Sequence, residues 1–238
     1  MDHRFFVDQP IQSNQVELDG AEAHHLLNVL RAGIGQQVTL FDGSGFEFQA
    51  RVAQRERRRA RLEIVDRIEV NRELSFSMVV GVALPKGDRQ RWLVEKVVEL
   101  GVTRLVPLIT ERGVNRPTDA TLVRLRRTVV EASKQCGRTV MMEVCEAQPL
   151  QPFLHGAAEN VLRIVAHPYR SATSTGPTQR PVRQADGQAV FIAVGPEGGF
   201  TEAEWQRACQ AGWQPVDLGP RILRIETAAL ALVAALTL

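Results

Sequence analysis

Cysteine is scarce: Cys136, Cys145 and Cys209 are the only three in 238 residues, and no two form a Cys-x-x-Cys pair. Three cysteines always leave one unpaired, which excludes a disulfide-stapled scaffold and makes a reducing compartment the simplest expectation. Long apolar runs are missing as well. The longest near-apolar stretch, residues 228–238, falls short of the about 20 residues that span a bilayer and reads as a buried or partner-facing helix. Met1-Asp2-His3-Arg4 has no apolar segment of the kind a secretory leader carries, so the expected location is cytoplasmic, without a membrane. Net charge is small: 29 basic against 27 acidic residues leave +2, too little for general electrostatic attachment to nucleic acid. Metal-ligand spacing is lacking. His24 and His25 are adjacent, and neighbouring helix positions point about 100° apart; His3, His155 and His167 make no pattern, so no metal is expected. There is no Gly-x-Ser-x-Gly elbow, no Gly-Lys-Ser/Thr phosphate loop and no Gly-x-Gly-x-x-Gly fingerprint.

What remains is an ordinary folded composition, 44% hydrophobic and 24% charged, long enough for one large domain or two small ones. Of the basic residues only Lys86, Lys96 and Lys134 are lysine. Arginine suits phosphate and base edges, although a GC-rich genome yields the same bias.

Two halves differ in pattern. Up to about residue 70, short strands alternate with turns: residues 4–7, 38–41, 46–52 and a strand from Leu62. One helix runs from Ala21 to Arg31, opened by Asp19-Gly20 and ended by Gly33. The Asp42-Gly43-Ser44-Gly45 sequence is a hairpin turn. This predicts a small β-barrel around one helix. After residue 72, buried strands (76–84, 105–109, 162–166, 190–194, and one near Val216) alternate with helices. Leu93, Val97 and Leu100 mark one helix face, and Leu122, Leu125, Val129 and Cys136 another; a last helix covers residues 225–236. Strands alternating with helices predict an α/β domain on a mostly parallel sheet. The expected domains are 1–72 and 73–238, with residues 168–188 as an exposed, mobile loop.

Four segments carry chemistry. Gly195-Pro196-Glu197-Gly198-Gly199-Phe200-Thr201 joins a strand to a helix that starts with a capping box, Thr201 at the N-cap and Glu204 at N3. Such a turn either lets a ligand approach the backbone at the carboxyl edge of the sheet or is simply a tight, well-capped connection. Leu218-Gly219-Pro220-Arg221-Ile222-Leu223-Arg224-Ile225-Glu226-Thr227-Ala228 sets apolar residues beside charge, as pocket linings do. Glu131 to Arg138 closes a basic helix, and Cys136 within it reads as core rather than nucleophile. Arg51, Arg55, Arg57, Arg58, Arg59 and Arg61 cluster around a single acid, Glu56. This run is either a charged edge strand or an RNA-facing loop, and six against one favours the RNA-facing loop.

Together these segments resemble one family. His24-His25-Leu26 with Val29-Leu30-Arg31, then Leu84-Pro85-Lys86-Gly87-Asp88, Glu95-Lys96, Glu99-Leu100-Gly101-Val102, Thr110-Glu111-Arg112 and Glu131 to Arg138 occur in its order. The Gly-Pro-Glu-Gly-Gly and Leu-Gly-…-Ile-Leu-Arg-…-Glu-Thr-Ala pair completes the set. The chain resembles the RsmE-type methyltransferases of the SPOUT superfamily, which methylate uridine N3 in 16S ribosomal RNA. It departs from them in having no aromatic residue among Leu122 to Arg127 and Val140-Met141-Met142 where a proline is usual.

The resemblance implies a PUA-like β-barrel followed by a trefoil-knotted parallel-sheet domain, a feature outside ordinary chain threading, and a homodimer. It implies S-adenosylmethionine as cofactor, held by Ala166, His167, Pro168, Gly195, Pro196, Gly199, Leu218, Gly219, Ile222 and Leu223. Ribosomal RNA, free or in the assembled small subunit, would meet His24, Arg31, Arg57, Arg58, Arg59 and Lys86. For catalysis, Arg224 or Arg138 can offset negative charge on the uracil. Glu197 or Glu226 can take the N3 proton, or instead cap backbone or pair with Arg224. A related methyltransferase with another RNA target and a non-catalytic RNA-binding module remain as alternatives.

Overall fold

The computed structural model describes residues 3–156, 160–167 and 187–237. The loop expected over 168–188 lies outside the described residues as far as 186, as does Pro168. The chain forms two compact units, Met1–Glu73 with Ser133–Met141, and Leu74–Ala132 with Met142–Leu238.

In the first unit, β1 (Arg4–Phe6), β2 (Gln15–Leu18), β3 (Gln37–Phe41), β4 (Phe46–Arg55) and β5 (Ala60–Glu69) form one sheet in the order β1-β3-β4-β5-β2. Only the β1–β3 pairing is parallel. Alternation along β3 and β4 sends Val38, Leu40, Phe48, Ala50 and Val52 into a core with Phe5, Leu18 and Leu62. The Asp42 carboxylate holds the hairpin turn by accepting from the Ser44 N–H (3.0 Å) and the Ile11 N–H (2.8 Å). The helix expected to reach Arg31 does not stay regular. Its α-helical part, α1, is Gly20–His24, and His25–Val29 is a π-helical turn. The widened turn buries Leu26 and Leu27 side by side in the core, and the chain leaves it through Arg31 in the left-handed region (φ 54°).

Residues 133–141 join this unit although a linear division at 72 assigns them to the second. Arg4 donates to the Gly137 and Arg138 carbonyls (both 3.2 Å), Arg72 to the Gly137 carbonyl (2.7 Å), and the Thr139 hydroxyl to the Val70 carbonyl (2.9 Å). Glu47 accepts from both Arg4 and Arg72. Burial raises the Glu47 pKa, but the hydrogen bonds from Arg72 and Arg4 outweigh it, and the net shift is downward.

The second unit carries β6 (Met78–Val82), α2 (Arg89–Glu99), β7 (Arg104–Ile109), α3 (Asp119–Cys136, whose residues from Ser133 belong to the first unit), β8 (Glu143–Val144), β9 (Gln148–Pro149) and α4 (Leu150–His155). There follow β10 (Leu162–Ala166), β11 (Val190–Val194), α5 (Glu202–Gln210), β12 (Gln214–Val216) and α6 (Ile225–Thr237). The strands are all parallel in the order β12-β10-β11-β6-β7-β8, with β9 also on β7. Every residue of β6 is buried, as a central parallel strand with both faces covered requires. The core joins Val79, Val106, Leu108, Phe153, Leu154, Val165 and Trp213, whose indole N–H donates to the Leu154 carbonyl (3.1 Å). The short elements β2, β8, β9 and α4 are additional to the pattern read from the sequence. No helix among the described residues is long and apolar enough to cross a membrane.

Candidate functional site

The carboxyl ends of β10, β11 and β12, neighbours in the sheet, open on a cavity of about 380 Å³. Ligands bind at this edge of open parallel sheets, and the volume lies in the range of about 300–1,000 Å³ usual for small molecules. Three loops line it. They contribute Ala166 and His167; Gly195, Pro196, Glu197 and Gly199; and Leu218, Gly219, Ile222 and Leu223. Val194, Arg112, Asp217, Arg221, Ile225 and Ala228 also line it. Leu223 is half-buried, whereas Ile222 is 71% exposed, an apolar side chain at the mouth without protein cover.

The turn after β11 is shaped by its glycines. A Cβ on Gly195 would sit 3.2 Å from the Phe200 ring, so glycine here lets that ring pack beneath the turn. Gly199 adopts φ 69°, and its N–H closes on the Pro196 carbonyl (2.8 Å). Thr201 then caps α5. Its hydroxyl accepts from the Glu204 N–H (3.2 Å) and Glu204 Oε2 accepts from the Thr201 N–H (2.8 Å), the reciprocal box read from the sequence. Glu204, only 3% exposed, also accepts the Glu111 N–H at Oε1 (2.8 Å). Next to it, Arg112 donates to the Gly198 carbonyl (2.9 Å). One buried carboxylate therefore ties the loop after β7 to the glycine turn.

Asp217 Oδ1 accepts the Gly219 N–H (2.9 Å) and fixes the start of the third loop. The His167 ring stacks on Trp205, centroids 4.1 Å apart and planes 7° from parallel. Burial lowers the His167 pKa, with Glu202 and Asp217 opposing.

The glutamates have a partner that sequence spacing did not suggest. Pairing with Arg224 was the structural alternative for Glu197 and Glu226. Instead Arg89, at the start of α2, lies 3.2 Å from Glu197 Oε1 and 3.6 Å from Glu226 Oε1. The reason is topological: α2 packs against α6, which brings Arg89 to residues more than a hundred positions away. Arg224 is exposed and has no side-chain partner among the described residues.

Arg138 is not part of the cavity lining. It is 3% exposed, and its guanidinium makes a two-point contact with the Glu73 carboxylate, one bond being 3.0 Å. Lys86, His24, Arg31, Arg57, Arg58 and Arg59 are all exposed. The six-to-one excess of arginine along β4 and β5 shrinks in three dimensions. Arg59 and Arg61 reach Glu17 on β2 (2.9 and 3.6 Å), and Arg51 reaches Glu63 (2.7 Å). Arg57 and Arg58, in the turn between β4 and β5, keep uncommitted guanidinium groups among the described residues. Burial, then Glu143, pushes the Cys145 thiol up to about 11, so it is no nucleophile at neutral pH. Among the described residues no three His, Cys, Asp or Glu side chains gather as metal ligands.

Comparison with known proteins places the chain among relatives. Residues 72–237 match the RNA methyltransferase domain family, and residues 18–65 match the RNA methyltransferase PUA domain. A ribosomal RNA small subunit methyltransferase E from Synechocystis is 32% identical over 90% of this chain and 69% of its own length. The protein of the same name from Bacillus subtilis is 28% identical over 98% of this chain and 95% of its own. A crystal structure of a ribosomal RNA small subunit methyltransferase E from Neisseria gonorrhoeae, bound to S-adenosyl methionine, superposes with TM-score 0.88. It shares 33% identity and covers 99% of this chain and 96% of its own.

Proposed function

Since the chain belongs to the RNA methyltransferase family, we propose that it transfers a methyl group from S-adenosylmethionine to uridine N3 in small-subunit (16S) ribosomal RNA. The observation that carries this reading is the cavity at the ends of β10, β11 and β12, joined to the likeness with the Neisseria enzyme, which holds S-adenosyl methionine. The cavity suits that cofactor. Val194, Leu218, Leu223 and Ile225 offer an apolar wall for a planar base, and the glycine turn leaves backbone groups within reach of a ligand.

S-adenosylmethionine, when bound, supplies an electrophilic methyl on a sulfonium centre. The chain's own residues supply the rest. Uridine N3 carries a proton, and in this reading Glu197, which lines the cavity, accepts it. Arg224 meets the negative charge that moves onto the uracil oxygens. Arg138, engaged with Glu73, is the less available of the two cations. The base must be unpaired or drawn out of its stack to reach the site. The PUA-like unit, with His24, Arg31 and the Arg57–Arg58 turn, and Lys86 in the second unit, orient the RNA. Residues 1–72 and 73–238 are the two functional modules in this reading. A homodimer, a knotted second domain, a cytoplasmic setting and the assembled small subunit as a possible form of the substrate belong to the same proposal.

Two measurements test it. Titration with S-adenosylmethionine is expected to give micromolar binding. Gly199→Val should weaken it about tenfold, because the left-handed backbone costs a side chain about 1–2 kcal/mol, and the loop relieves that strain by leaving the bound conformation. Nucleoside mass spectrometry of treated 16S RNA is expected to show 3-methyluridine. A different methylated nucleoside would favour another RNA target, and a folded protein that binds no cofactor even with RNA present would favour a binding module.

The arginine turn gives a further expected outcome. Replacing Arg57 and Arg58 by glutamate should weaken RNA binding several-fold at low salt and flatten its dependence on salt concentration, since each lost phosphate contact removes about 0.7 from the slope for single strands. Arg59→Glu should do less, because Arg59 is already neutralised by Glu17. Equal slopes for wild type and the double variant would remove this turn from the RNA surface.

A further inference from the structure

Glu226 presents a problem of buried charge. Its side chain is 7% exposed in the first turn of α6, and its Oε2 is buried without a hydrogen-bond partner. A carboxylate in such a place needs a cation. Among the described residues the one within salt-bridge distance is Arg89, at 3.6 Å from Oε1. The same guanidinium turns its other nitrogen to Glu197 in the glycine turn, at 3.2 Å. Arg89 thus bridges two separate walls of one cavity: the Gly195–Gly199 turn, and the N-terminal turn of α6, whose Ile225 and Ala228 face the same space.

The platform under Arg89 is fixed. Gln90 donates to the Pro85 carbonyl (2.7 Å), and Asn115 donates to the same oxygen (3.1 Å), which anchors the entry to α2. The neighbouring charges on α2 are occupied within the helix, Arg91 with Glu95 (2.7 Å) and Lys96 with Glu99 (2.6 Å). Glu197, by contrast, is exposed and sits on a turn rich in glycine. The firm end of the bridge is therefore α2 with α6, and the end that has to be held is the turn.

We propose that Arg89 is a positioning residue for the cofactor site: it holds the glycine turn at its working distance from α6 by joining Glu197 to Glu226. It acts through these two carboxylates and touches no reacting atom. The proposal rests on the reading of this cavity as the S-adenosylmethionine site. Without Arg89 the turn samples open positions, and binding must first restore the closed one. A turn held closed one-tenth of the time binds about tenfold more weakly.

The test is calorimetric titration of the full chain with S-adenosylmethionine. Arg89→Ala is expected to raise Kd about tenfold, and Arg89→Lys, which keeps the charge but not the fork, should recover part of the loss. Glu197→Gln, an exposed change that breaks the bridge from the other end and leaves the buried pair intact, should weaken binding about as much. Arg89→Ala added to Glu197→Gln should then cost little more, because both remove the same tie. In turnover assays Arg89→Ala should raise KM for the cofactor, and Arg89→Lys should recover part of that rise. Wild-type affinity in both Glu197→Gln and folded Arg89→Ala would overturn the proposal. So would additive losses, which would mean two independent effects. If the wild-type chain binds no S-adenosylmethionine, the reading of the cavity itself has failed, a result distinct from either.

Discussion

Glu204→Ala is expected to cost about 3 kcal/mol of folding stability and to weaken cofactor binding in the same variant. Glu204 is buried, and its two oxygens accept from two backbone N–H groups in different loops, Thr201 and Glu111, each at 2.8 Å. Truncation removes both acceptors at once. A buried donor left without a partner costs about 1–3 kcal/mol, and the capping box adds about 1 kcal/mol of its own. For a chain of this size about 3 kcal/mol corresponds to a fall in Tm of about 6–12 °C. Glu204→Gln keeps one carbonyl oxygen and turns an amide N–H toward the second donor, so it should cost about half as much. Thr201→Ala removes only the 3.2 Å bond to the Glu204 N–H and should cost about 1 kcal/mol. Denaturant unfolding of the three variants gives the ranking. Equal losses for Thr201→Ala and Glu204→Ala would mean that the tie to Glu111 adds nothing. The functional effect follows from Arg112, next to Glu111. Once that loop is released, the bond from Arg112 to the Gly198 carbonyl loses its anchor, and the glycine turn loses a support.

The residues involved show what a linear reading can and cannot reach. The box at Thr201 and Glu204 is legible because its chemistry spans three positions. The strands β10 and β11 are legible because a short run of β-branched and other apolar residues bounded by polar ones has few other fates in an alternating pattern. The second role of Glu204, toward Glu111, spans 93 positions and is invisible to any local window. Arg89 is the sharper case. It sits among Arg and Gln residues that read as a solvated helix start, and only the packing of α2 on α6 makes it the counter-ion of Glu197 and Glu226. Arg224, closer to Glu226 in sequence, has no side-chain partner among the described residues. The same logic reduces the arginine cluster, since Glu17 belongs to a strand whose Gln-Val-Glu-Leu sequence carries too little apolar signal to be read as one. Residues 133–141 fail for a similar reason. They continue a helix of the second unit in sequence, yet Arg4, Arg72 and Val70 bind them to the first.

Arg224→Ala is expected to lower kcat about a hundredfold while leaving the affinity for S-adenosylmethionine unchanged. Removing one group that stabilises developing negative charge costs about 2.7–4 kcal/mol at preorganised sites, or a factor of about 100–1,000, and the exposure of Arg224 places it at the lower end. Its position is set by backbone rather than by side-chain contacts: the Arg224 carbonyl accepts the Ala228 N–H (2.9 Å) at the start of α6. Leu223 and Ile225 on either side line the cavity. Arg224 itself is not among the residues that line the cavity, and its exposed guanidinium has no side-chain partner among the described residues. Arg112 is committed to the Gly198 carbonyl and Arg89 to two glutamates, so neither is free to follow charge onto a substrate. Arg221 also lines the cavity, and it separates the two roles open to an arginine here. Arg221→Ala should raise KM with little change in kcat if that residue only binds, whereas Arg224→Ala should lower kcat and kcat/KM together. Arg224→Lys should restore part of the rate, because a point charge meets the uracil oxygen less well than a planar fork. Wild-type turnover by a folded Arg224→Ala variant would remove Arg224 from the chemistry and leave charge stabilisation to a different group.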